Sequence, residues 1–266
     1  VEDNKMELKQ IATIHTDFPE KFGIPRQSGL VGQLKGQIIL EPAYRNREAF
    51  RGLAEYSHIW VLWEFSQAKR EKWSPTVKPP RLGGNKRMGV FATRSPFRPN
   101  PIGLSALKLD SIEYHKTYGP VLHVSGVDML DGTPVYDIKP YLPYADSYPD
   151  ATDGFAGRVR GNRIAVSIPE EMLIKIEEKE RDTIKQLLSQ DPRTAYVQDA
   201  ERIWGLSYQQ YNIRFRVENE TAYVLDVEIK QGADRLYRKR EADRGKVTEQ
   251  KDEDRSDGTT DKAGEK

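Results

Sequence analysis

Along the first two-thirds of the chain, apolar residues come in short runs bounded by glycine, proline and polar turn residues. The runs cover residues 8–15, 37–40, 58–65, 88–93, 104–114, 121–127 and 135–138. Several alternate apolar with polar positions and are rich in Ile, Val, Trp and Phe, as half-buried strands are. In this part only residues 45–55 have a helical pattern. Seven short strands with so little helix predict a mainly β fold whose sheet closes on itself, a barrel or a sandwich.

The pattern changes at a Gly/Arg-rich linker over residues 154–163. Ser167 is followed three residues later by Glu170, with Pro169 between them, which predicts a capped helix start. Met172, Leu173, Ile176, Ile184, Leu187 and Leu188 then recur at roughly helical spacing up to the stop signal Asp191-Pro192. Residues 208–217 alternate, and 222–229 follow across Glu218-Asn219-Glu220, which predicts a hairpin. Three parts are therefore expected: a closed β unit over 1–160, a small α+β domain over 161–229, and a charged tail over 230–266. That tail holds 21 charged residues among 37, too few apolar ones to support a core, and is expected to be disordered.

Composition narrows the class. The chain has 266 residues, 37% hydrophobic and 31% charged, as soluble globular proteins do. It has no apolar run long enough to span a membrane, and its first residues lack the layout of a secretory signal. With no cysteine there is no disulfide, thiolate metal site or cysteine nucleophile; a cytoplasmic location is the matching expectation. Four scattered histidines show no ligand spacing, so no metal site is expected.

The formal net charge of +1 hides a strong asymmetry. Residues 69–108 carry ten Lys or Arg against one acid, and residues 125–153 carry six Asp against one Lys. Cationic loops suit a polyanion, whereas aspartates on tight turns suit hydroxyls, amines or a cation. The basic stretch offers Lys78, Arg81, Lys86, Arg87 and Arg98 as phosphate contacts, and Tyr141 and Tyr144, interleaved with prolines, as platforms for bases. A solvated basic loop, and tyrosines covering a barrel mouth, are the plainer alternatives.

The chemistry-bearing motifs are unusual ones. Neither a dinucleotide fingerprint nor a P-loop, serine elbow or zincin helix occurs. Pro25-Arg26-Gln27 sets a guanidinium behind a rigid proline, able to grip a carboxylate, or is an ordinary turn. In the segment RLGGNKRMGVFATRSPFRPNPIG, prolines 96, 99 and 101 preset the backbone around Arg94 and Arg98. Asp131-Gly132 matches the commonest hairpin-corner signal, so Asp131 serves either turn chemistry or a ligand. Asp128, three residues earlier, has no such explanation.

Taken in order, PRQ, WSPTVKPPRLGGNKRMGVFATRSPFRPNPIG, VDMLDGTPVYDIKPYLPYAD and QDPRTAY resemble the TrmO (YaeB/TsaA-type) tRNA methyltransferases. The resemblance runs from about residue 11 to 229 and leaves out the tail. It implies a TsaA-like β-barrel enzyme that uses S-adenosyl-L-methionine and is usually a homodimer. The implied reaction is methylation of tRNA at N6 of N6-threonylcarbamoyladenosine, at position 37 beside the anticodon. The implied cofactor residues are Pro25, Arg26, Gln27, Ser66, Gln67, Arg94, Leu104, Asp128, Met129, Leu130 and Asp131, with Ser66 standing where the family commonly has His. Asp128 or Asp131 is the candidate general base only if not engaged by cofactor. Two other classes remain open: a non-catalytic RNA-binding barrel with the same basic stripe, and a metal-dependent phosphoesterase using Asp128, Asp131 and Asp137.

Overall fold

Strand β1 (Ala12–Thr16) buries Ala12, Ile14 and Thr16 and turns the intervening residues outward. The same period of two runs through β2 (Lys35–Leu40) and β3 (His58–Glu64). A computed structural model describes residues 7–68, 72–79, 86–157, 163–193, 199 and 201–230. Within them β4 (Thr76–Val77) and β5 (Met88–Gly89) form a two-residue ladder of their own. They precede β6 (Ile102–His115), β7 (Gly119–Ser125) and β8 (Thr133–Pro140). The predicted closure is a barrel, in the order β1-β2-β7-β6-β3-β8, with β8 pairing back onto β1 through Ala12–Val135 and Ile14–Thr133. Ile14, Ile38, Ile59, Val61, Leu107, Leu122, Val124 and Val135 fill it and are fully buried.

Every neighbouring pair in the barrel is antiparallel, so connections leave from its two rims in turn. The β1–β2, β3–β6 and β7–β8 loops (17–34, 65–101 and 126–132) share one rim. The β2–β3 and β6–β7 loops and the chain after β8 leave from the other. Several sequence expectations need correction here. The 88–93 run is a strand only at Met88–Gly89 and continues as a 3-10 turn over Val90–Ala92. Residues 45–55 are not an α-helix but lie in a series of one-turn 3-10 helices, interrupted by left-handed Gly52 (φ 82°). Of the residues in those turns only Phe50 is buried, too little apolar stripe to hold a longer helix.

After short turns α1 (Pro143–Asp146) and α2 (Gly154–Gly157), the second unit begins with β9 (Ala165–Ser167). The predicted capping box is not formed: Ser167 pairs with Tyr223 in a parallel ladder, and Pro169 flanks the one-turn α3 (Glu170–Leu173) without a side-chain cap. The main helix, α4 (Glu178–Ser189), ends just before Asp191-Pro192 as expected. The sheet order is β10-β11-β12-β9, with β10 (Trp204–Tyr208), β11 (Tyr211–Glu218) and β12 (Thr221–Ile229). The 208–217 run is broken by a tight turn in which Gln209 has φ 49° and Tyr208 pairs with Tyr211. The β11–β12 hairpin turns on Asn219 and Glu220, both with positive φ (47° and 55°).

The two units share one apolar core. Phe18, on the β1–β2 loop, packs at 5.7 Å from Tyr208, and Phe22 stacks on Trp204 at 5.6 Å and 4°. The expected tail beyond Lys230 lies outside the described residues.

Candidate active site

Asp128 is where the loops of the first rim converge. Its Oδ1 accepts a 2.7 Å hydrogen bond from the Ser105 hydroxyl, which itself accepts Trp63 Nε1 at 3.0 Å. The Ser28 backbone N–H also reaches it, and the Arg94 charge lies nearby. Burial outweighs these donors and pushes the carboxyl up to about 6. Ser105 is 1% exposed, on the same face of β6 as the buried Leu107 and Leu109. A Cβ at Gly103 would lie 2.2 Å from the Trp63 ring, so only glycine lets the indole lie across β6 and reach Ser105.

The PRQ loop is tied to this node on both sides. Pro25 is buried, Arg26 exposed and Gln27 half-buried. Gln27 accepts a hydrogen bond from Arg94 Nη1 and donates to the Arg26 carbonyl. Lys21, earlier in the same loop, donates to the Gln67 carbonyl at 3.0 Å. That bond joins it to the one-turn helix Ser66–Ala68, where Ser66 and Gln67 are exposed. Leu104 stands 54% exposed on the outer face of β6, an unpartnered apolar wall beside the rim.

The Asp131-Gly132 hairpin expectation is corrected, because β7 and β8 are not neighbours in the sheet. The turn instead crosses the end of β1, with Asp131 N donating to the Phe18 carbonyl (2.9 Å) and Gly132 N to that of Ile14 (3.0 Å). The Asp131 carboxylate accepts Thr16 N at 3.0 Å and faces His15 Nδ1 at 3.1 Å. It is held by β1, whereas Asp128 faces the loops. Met129 is 1% exposed and its carbonyl accepts the Thr16 hydroxyl; the Leu130 carbonyl accepts the Thr133 hydroxyl. Met129 therefore offers a site its backbone rather than its side chain.

The RNA-contact candidates divide. Lys78, Lys86 and Arg87 are exposed on the β4–β5 hairpin, with Arg87 Nε bonded to Thr76 Oγ1 at 2.7 Å. Arg98 folds back onto its own loop and donates to the Thr93 carbonyl at 3.0 Å. Arg81 lies outside the described residues. Tyr141 and Tyr144 follow β8 and so leave from the opposite rim, about 20 Å away along a seven-residue strand. Tyr141 packs on Trp60 at 5.5 Å, while Tyr144 is 87% exposed.

Sequence reasoning missed Ser105, Trp63, Ser28 and Lys21. Of these only Ser105 left a signal, a polar residue in alternation with Leu107 and Leu109 on the core-facing side of β6. No group of three or more His, Cys, Asp or Glu side chains suited to a metal is found among the described residues. That removes the geometric basis of the phosphoesterase alternative on Asp128, Asp131 and Asp137.

The first rim thus brings together exposed Arg26, Arg94 bonded to Gln27, the half-buried Asp128 carboxyl with its raised pKa, and exposed Leu104. The tRNA-methyltransferase O N-terminal domain matches residues 13–147, and the TrmO C-terminal domain matches residues 161–230. A protein of Escherichia coli K12 called tRNA (adenine(37)-N6)-methyltransferase is 42% identical over 233 residues, 85% of this chain and 99% of its own. One of the same name from Eikenella corrodens is 46% identical over 179 residues, 66% of this chain and 99% of its own. A crystal structure of TrmO from Pseudomonas aeruginosa matches with TM-score 0.68 and 35% identity, covering 85% of this chain and 97% of that one.

Proposed function

This chain belongs to the tRNA-methyltransferase O family, and from that premise we propose that it methylates N6 of adenine in tRNA with S-adenosylmethionine. The finer proposal is that the acceptor is N6-threonylcarbamoyladenosine at position 37. The observation that carries this reading is the node at Asp128, where Ser28, Arg94 and Ser105, from three separate segments, converge on one carboxylate.

Arg26 and Arg94 are the residues able to hold the amino-acid carboxylate of the cofactor. Leu104 flanks its adenine and the backbone of Met129 and Leu130 takes its ring edge, while Asp128 takes either its hydroxyls or the proton of the acceptor, not both. Ser66 and Gln67 close the site from the β3–β6 loop. When bound, the cofactor supplies a methyl group on a positively charged sulfur. The attacking N6 must lose a proton, and a carboxyl with a pKa of about 6 is matched to accept one near neutral pH. Asp128 serves that role if Arg26, Arg94 and the backbone carry the cofactor. The exposed cations Lys86 and Arg87 face the polyanion and the threonyl carboxylate.

The test is nucleoside mass spectrometry of tRNA incubated with the protein and methyl-labelled cofactor. Threonylcarbamoylated tRNA is expected to react at least about 100-fold faster than an unmodified transcript, since a polar site loses its partners with the missing group. Equal rates would overturn the substrate assignment alone. No label in either RNA would favour the non-catalytic RNA-binding barrel. A cytoplasmic homodimer completes the reading; the dimer rests on the resemblance and the location on the lack of cysteine, and light scattering and fractionation check them.

A further inference from the structure

We propose that the α+β unit builds part of the cofactor site: it clamps the β1–β2 loop along its length and so fixes the direction of Arg26. This goes beyond the assignment of Arg26 to the cofactor and rests on it. The loop from Asp17 to Gln27 meets the second unit at five successive places. Gln209 N donates to the Asp17 carbonyl at 3.0 Å. Phe18 packs on Tyr208 and Phe22 on Trp204. Gly23, at φ 90°, lies so close to β10 that a Cβ there would sit 1.9 Å from Leu206 Cδ1. Last along the loop, Arg26 Nη2 donates to the Arg193 carbonyl at 3.1 Å.

The acceptor in that last bond is itself locked. Arg193 forks onto Asp191, with Nε to Oδ1 at 2.8 Å and Nη2 to Oδ2 at 3.0 Å. Asp191 has a left-handed backbone (φ 48°), and its N–H bonds the Leu188 carbonyl at the end of α4. Pro192 fixes φ between the two. A rigid corner on one unit thus presents one carbonyl to the exposed arginine of the other. An arginine held in one direction loses less freedom when it grips a ligand, and ligand affinity gains by that difference. Asp191 and Arg193 are positioning residues in this scheme.

The test is calorimetry of S-adenosylhomocysteine binding to the full-length protein, with thermal melting of each variant alongside. Asp191→Ala is expected to weaken binding about 3- to 10-fold, the range for one side chain left to be ordered. In an Arg26→Ala background the same change is expected to cost less than about 2-fold, because the arginine it steers is gone. With tRNA, the loss is expected in KM for the cofactor, with kcat nearly kept. Unchanged affinity in Asp191→Ala, or equal losses with and without Arg26, would overturn the proposal. Should Asp191→Ala not fold, Arg193→Gln breaks the fork from its other side and is read the same way. If the wild type binds no S-adenosylhomocysteine, the assigned cofactor site falls, and this proposal with it.

Discussion

At the residue scale the informative side chain is Asp128, whose carboxyl is under two opposed influences. Burial raises its pKa to about 6, while Ser105, the Ser28 N–H and Arg94 pull it down. In the cofactor-free fold the ionised form is thus disfavoured relative to the unfolded chain. The stability this group contributes is full below about 4 and is lost as pH rises to about 6. Where Asp128 takes the ribose hydroxyls, cofactor binding has the opposite sign, because a hydroxyl donates best to the ionised acceptor. Affinity for S-adenosylhomocysteine is expected to fall about 10-fold between pH 7 and pH 5, with its midpoint near 6. Ser105→Ala, which removes a donor to the ionised form, is expected to move that midpoint upward, and Asp128→Asn to abolish it. Calorimetric titrations over this pH range check all three; an unshifted midpoint in Ser105→Ala means that the hydroxyl does not tune the acid. Arg26, Arg94 and Asp128 were legible in the sequence because proline-fixed or unexplained charges stand out. Ser28 and Lys21 were not, since one acts through its backbone and the other only bonds a distant carbonyl.

At the scale of elements, alternation made most barrel strands legible, because each has one face on a dry interior. Strand order was not, as it depends on which edges meet. Two of the failures share a cause: a local signal was outcompeted by backbone bonds to another strand. Ser167 reads as a helix cap but joins β9, and Asp131-Gly132 reads as a hairpin corner but crosses β1. Two substitutions test the local geometry. Gly103→Ala is expected to displace the Trp63 indole and destabilise by about 1–3 kcal/mol, as overpacked cores do. Thermal melting should show a drop of several degrees, with weaker cofactor binding because the Trp63–Ser105 bond is broken. Glu220→Gly is expected to act oppositely, since the φ of 55° there disfavours any residue with a Cβ. Its melting temperature should rise by a few degrees, for roughly 1 kcal/mol relieved. An unchanged melt would mean that the Asn219-Glu220 turn already carries no strain.

Over the whole molecule the balance of charge is the property that one net figure conceals. No acidic residue occurs between Glu71 and Asp110, and the β4–β5 hairpin carrying Lys78, Lys86 and Arg87 projects from the same rim as the Asp128 node. A phosphate backbone drawn to that hairpin is thereby brought to the rim where the carboxylate and the arginines meet. Each phosphate neutralised releases bound counterions, so the salt dependence of binding reports how many are neutralised. Lys86→Glu with Arg87→Glu is expected to weaken tRNA binding and to reduce its log–log salt slope by about 0.7–0.9 for each phosphate no longer neutralised. Affinity for S-adenosylhomocysteine is expected to stay near wild type, because neither side chain is bonded to the Asp128 cluster. Fluorescence titrations of tRNA between low and moderate salt give the slope, and calorimetry gives the cofactor affinity. A slope equal to wild type would assign the hairpin to a surface other than RNA, while a fall in both affinities together would mean that hairpin and node form one site.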